Sequence, residues 1–195
     1  MSQSINQIYC EPLFNINKYL ELVDKRIQDI LIRPENDILT YDILDTEKSK
    51  KYKLLALKEK QRQMKVGEIW QVVLGNYDGC IDLKIGHESG LDILSVTKKF
   101  AVELKNRTNT DNASSKKANL DKLAIYKKNN SDFICIYANI NADTEKKTLY
   151  GSIKKISHNG VEIEHLIGYE FLKYILGSDT ELVIEFVKNV IDKYT

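Results

Sequence analysis

Glu103 and Lys105 stand two residues apart in the run FAVELK, Phe100 to Lys105. The two-residue period of a strand puts them on one face and Val102 and Leu104 on the other. A carboxylate beside an ammonium group can hold a divalent cation and a nucleophilic water together once a second carboxylate completes the metal site. Asp92 offers that carboxylate: ten residues separate it from Glu103, and a tight hairpin at Thr97-Lys98-Lys99 would lay the two segments side by side. Mg2+ suits such sparse ligation, in which one or two carboxylates leave the other positions to water and phosphate oxygens. The implied chemistry is hydrolysis of a phosphodiester. The cation acidifies water and polarises the phosphate, while Lys105 orients the water or meets the charge growing on phosphorus. No Ser, Tyr or Cys is patterned as a nucleophile, so direct attack by water is expected.

Directly after Lys105 the chain turns polar for a dozen residues, NRTNTDNASSKK. From Lys98 to Lys128 nine basic residues face three acids, a local excess of +6 in a chain whose total is +1. Such a patch is what phosphates bind. Asn, Arg, Thr and Ser side chains meet phosphate oxygens as well as base edges, and only the base edges specify sequence. Arg107 is the candidate for a two-pronged contact to guanine. Asn106, Asn109 and Asn112 either read bases or shape the loop, Thr108 and Ser114 add hydroxyls, and Lys116 and Lys117 suit phosphates. Double-stranded DNA is the expected partner.

The elements that must hold these residues follow from the periodicity. Apolar residues at three-four spacing predict a helix over NINKYLELVDKRIQDIL, and a second run from about Asp45 to Leu74 ends at GNYDG. The period then shortens to that of strands in CIDLKIG, LDILSV and FAVELK, joined by connections short enough for an antiparallel meander. A helix capped by Asp111 or Asn112 follows, then FICIYANI, a strand apolar on both faces. His158-Asn159-Gly160 predicts a hairpin between TLYGSIKKIS and VEIEHLI, and two helices close the chain. His158, Glu162, Glu164 and His165 read as surface residues of that hairpin, and Asp82 as a rival acid one strand too early.

Asp92, ten residues, then Glu103-Leu104-Lys105 resembles the PD-(D/E)xK motif of the restriction-endonuclease-like nuclease superfamily, with Leu91 where a proline is usual. The order of elements from Glu68 to Ile140 is similar to that superfamily's αβββαβ core. The resemblance implies an α/β fold with a mixed sheet, N-terminal helices over 1–45, a catalytic core over 46–140, and a C-terminal hairpin plus helices over 141–195. It also implies that Asp92 and Glu103 are metal ligands, Lys105 the catalytic lysine, and Glu68 a helix-borne acid near the metal. The stretches WQVVLGNYDG, GHESGLDI and ELKNRTNTDNASSKKANLDKL resemble type II restriction endonucleases that cleave GGNCC or GGWCC sites.

The expectation is a Mg2+-dependent, sequence-specific restriction endonuclease. A repair or junction-resolving nuclease on the same fold, or a non-catalytic DNA-binding module, is the alternative. A palindromic site would call for a homodimer.

At 195 residues, 43% hydrophobic and 29% charged, the chain has the size and make-up of one globular domain. No apolar run approaches the roughly 20 residues of a membrane span and no signal peptide opens it, so a cytoplasmic protein is expected. Three scattered cysteines without a CxxC pair indicate neither a disulfide framework nor a thiolate zinc site.

Overall fold

A computed structural model describes residues 13–194 except 36, 85, 108–111 and 143. Helix α1 (Ile16–Leu31) opens on Asn15, whose side chain accepts from the Lys18 N–H, and buries Tyr19, Val23, Ile27 and Ile30. Helix α2 (Glu47–Gly75) starts at a reciprocal cap: Thr46 accepts from the Ser49 N–H, and the Ser49 hydroxyl accepts from the Thr46 N–H. Only its last turns are buried, through Ile69, Val73 and Leu74. Its first half lies over solvent.

Three antiparallel strands follow: β1 (Ile81–Asp82), β2 (Ile93–Ser95) and β3 (Phe100–Arg107). Helix α3 (Ala113–Asn129), capped by Asn112, crosses to β4 (Ile134–Asn141), which runs parallel to β3. Helix α4 (Glu145–Tyr150) leads to the hairpin of β5 (Ser152–His158) and β6 (Val161–Ile167). Helices α5 (Tyr169–Leu176) and α6 (Thr180–Tyr194) complete the described chain. The six strands form one mixed sheet in the order β1-β2-β3-β4-β6-β5, with β6 parallel to β4. The α/β architecture expected from the sequence is present, and α2-β1-β2-β3-α3-β4 supplies the expected αβββαβ order.

Alternation along the central strands separates two cores. Phe100, Val102, Ile136, Ala138 and Leu166 face α1, α2, α5 and α6, while Ala101, Cys135, Tyr137 and Ile163 face Leu120, Leu123 and Ala124 of α3. The N-terminal helix is therefore part of the main core rather than an appendage. No helix among the described residues is long and apolar enough to cross a membrane.

Three details differ from the periodicity reading. CIDLKIG is strand only at Ile81–Asp82, because Lys84 (φ 59°) and Gly86 (φ 91°) turn the backbone left-handed. The start of TLYGSIKKIS is helical, capped by Thr144, and β5 begins only after Gly151. The hairpin after His158 forms as expected, with Asn159 and Gly160 both at positive φ.

Candidate active site

The register of the β2–β3 hairpin builds the site. Ile93, Leu94 and Ser95 pair with Val102, Ala101 and Phe100, so residues 96–99 form the connection, one residue longer than the turn expected at 97–99. One position beyond the ladder, the Asp92 N–H donates to the Val102 carbonyl at 3.0 Å. Its carboxylate bends across the pair, and Oδ2 accepts from the Leu104 N–H at 2.7 Å. Asp92 is thereby anchored to the backbone between Glu103 and Lys105.

Glu103 is 2% exposed. Its Oε1 accepts from Lys105 Nζ at 2.6 Å, which fulfils the same-face geometry expected of the pair. Its Oε2 is buried and accepts no hydrogen bond. Lys122 of α3 brings a second ammonium group to 3.8 Å from that oxygen while donating to the Gly90 carbonyl and to Asn119 Oδ1. Burial pushes the Asp92 carboxyl above the ordinary range against the pull of the Leu104 N–H and both lysines, and the charge of Asp82 adds to the rise. Glu103 is pushed up by burial and by the charge of Asp92. Two desolvated carboxylates, the charge of Asp92 raising the proton affinity of Glu103, and one acceptor oxygen without a hydrogen bond make a donor set that suits a hard divalent cation.

Beside this pair opens a cleft of about 1050 Å3 whose lining includes Glu68, Gln71, Asp82 and Lys105. Arg33 clasps both oxygens of Glu68 at 2.9 Å. Among the described residues no group of three His, Cys, Asp or Glu side chains is gathered as a metal cluster, so Glu68 is not joined to Asp92 and Glu103. Asp82 is held by Gln71 Nε2 at 2.9 Å and by the Lys84 N–H at 3.1 Å. Lys122, Asn119 and Gln71 carried no sequence signal for this neighbourhood, because helix-to-sheet packing brings them there.

The polar segment divides. Asn106 turns away from Lys105: its amide donates to the Gln63 carbonyl at 2.9 Å and its Oδ1 accepts from Asn141 at 2.8 Å, tying β3 to α2 and β4. Arg107 meets Glu59 of α2 at 3.2 Å. Asn112 caps α3 by accepting from the Ser115 N–H at 2.8 Å. Ser114, Lys116 and Lys117 are exposed on the first turns of that helix, with the Lys116 ammonium group 5.7 Å from the Tyr137 ring centre. Thr108 and Asn109 lie outside the described residues.

His165, expected on the surface, faces inward. It stacks near Tyr137 with ring centres 5.3 Å apart, and its Nε2 donates to Asn139 Oδ1 at 2.7 Å. Asn139 in turn donates to the Arg107 carbonyl at 3.2 Å, so a polar chain backs the end of β3.

No curated protein matches this chain. A family model does: the one described as Eco47II restriction endonuclease, over residues 5–194.

Proposed function

The chain belongs to the Eco47II restriction endonuclease family, and on that premise we propose that it cuts both strands of DNA at a short palindromic site containing GG and CC, using water activated by Mg2+ at Asp92 and Glu103. The observation that carries this reading is the juxtaposition on β3: Glu103 is buried with one oxygen on Lys105 at 2.6 Å, and Asp92 is anchored at the Leu104 N–H between them. A bound divalent cation would supply a Lewis acid that acidifies water and offsets charge on the phosphate. The backbone bond of Asp92 fixes where its carboxylate stands, so it need not reorganise when substrate arrives. Lys105, in the lining of the cleft and bound to Glu103, would orient water or stabilise charge at the scissile phosphate. Exposed Lys116 and Lys117 suit phosphates along the duplex, and Arg107, at the end of β3, suits a guanine edge. A palindromic site matches two copies related by a twofold axis, each cutting one strand.

Plasmid digestion tests the proposal. Mg2+ should yield discrete fragments, EDTA none, and sequencing of the ends should return one repeated site. Glu103→Ala should bind duplex in a gel and cut nothing. A variant that cuts at the wild-type rate would remove Glu103 from the chemistry.

A further inference from the structure

Lys122 reaches the acids from α3, outside the hairpin that carries Asp92, Glu103 and Lys105. Its ammonium group is set by neutral acceptors, the Gly90 carbonyl at 3.2 Å and Asn119 Oδ1 at 3.3 Å, and not by the carboxylate it faces at 3.8 Å. The stem lies against the turn at Gly90, a residue at φ +62° where an added Cβ would sit 3.3 Å from Lys122 Cδ. The scaffold therefore decides where this charge stands. Lys105 covers one oxygen of Glu103 and Lys122 faces the other, so two ammonium groups balance the two carboxylates of the pair. A divalent cation approaching that pair meets carboxylates already matched by two ammonium groups, and it meets a fixed positive charge beside the one Glu103 oxygen that accepts no hydrogen bond.

We infer that Lys122 is a resident counter-cation, which stabilises the buried acid pair in the metal-free protein and opposes the entry of a divalent cation. The inference rests on the reading of Asp92 and Glu103 as metal ligands. It separates two properties that an ordinary structural residue moves together. Removing the charge should lower the stability of the metal-free protein and raise its affinity for metal.

Mn2+ alone, without DNA, is the probe, with the unbound ion counted by electron paramagnetic resonance and metal-free stability followed by thermal unfolding. Lys122→Gln, which keeps a donor for Gly90 and Asn119, should melt lower than wild type and bind Mn2+ about tenfold tighter, as expected when a like charge a few ångströms away is removed. Should it not fold, Lys122→Met keeps the stem against Gly90 and takes its place. Lys122→Arg should stay within about threefold of wild type, because it retains the charge. Unchanged or weaker Mn2+ binding in the neutral variants, or equal tightening in Lys122→Arg, overturns the inference. Glu103→Gln separates the two readings: it should abolish Mn2+ binding with or without Lys122, and if it binds like wild type the metal site itself is misassigned.

Discussion

One carboxylate of Asp92 has two duties, a backbone anchor and a proposed metal ligand, and they are separable. Asp92→Asn keeps an acceptor for the Leu104 N–H, so it should fold normally yet lose several kcal/mol of transition-state stabilisation, a hundredfold or more in cleavage rate. Asp92→Ala should lose the same activity and in addition about 1–3 kcal/mol of stability, because a part-buried N–H is left unpaired. Equal urea midpoints for the two variants would contradict the anchoring role. Arg107→Ala should cost roughly 1–3 kcal/mol of specific binding if it grips a guanine, whereas equal loss on every sequence in a binding assay would make it a phosphate contact. Asp92, Glu103 and Lys105 were legible because strand period and hairpin length are local properties. Glu68 was named only by resemblance, and nothing nearby in the chain announced Arg33, thirty-five residues upstream. For Asn106 the sequence leaves open whether it reads bases or shapes the chain, and its amide is engaged by Gln63 and Asn141, partners that only tertiary packing supplies.

Between elements, α2 ends close against β1 at Gly75, where an added Cβ would lie 2.7 Å from Asp82 Cβ. Gly75→Ala must push β1 away and should cost about 1–3 kcal/mol, read as a lower urea midpoint. On the α3 side, burial, with Lys116 and Lys154 adding to it, lowers the His165 imidazole from 6.5 to about 4. The unfolded chain therefore binds more protons than the native one between those values. The stability this adds is complete above pH 6.5 and is lost as pH falls towards 4, on the order of 1–3 kcal/mol. His165→Gln should lack that component when its urea midpoints are compared with wild type across the same range. Helices with apolar stripes could be read directly, among them α1 and α3, each capped by an Asn, and α6. Helix α4 and the parallel pairing of β4 with β6 could not, because the first is one short turn behind Thr144 and the second joins residues far apart in the chain.

For the whole molecule, the proposed palindromic site predicts a dimer, so sedimentation should return about twice the chain mass of 22.5 kDa. A monomeric mass retained on duplex DNA would count against it. The basic patch seen in the sequence is partly answered within the fold: Lys98 meets Asp78, Lys99 meets Asp132 and Arg107 meets Glu59. Fewer phosphate contacts are then expected than the excess of +6 suggests, and a shallower salt dependence of DNA affinity. The face of the sheet behind Glu103 is closed from both directions along the chain, by Val23 and Ile27 of α1 and by Val183, Val187 and Val190 of α6. On a ribosome, which delivers residues in order, Asp92 and Glu103 emerge long before the helix that seals the layer behind their strand. A nascent chain halted before Thr180 would carry every proposed catalytic side chain but no finished support for them. The strand that bears both acids thus gains its full support only once synthesis has passed α6.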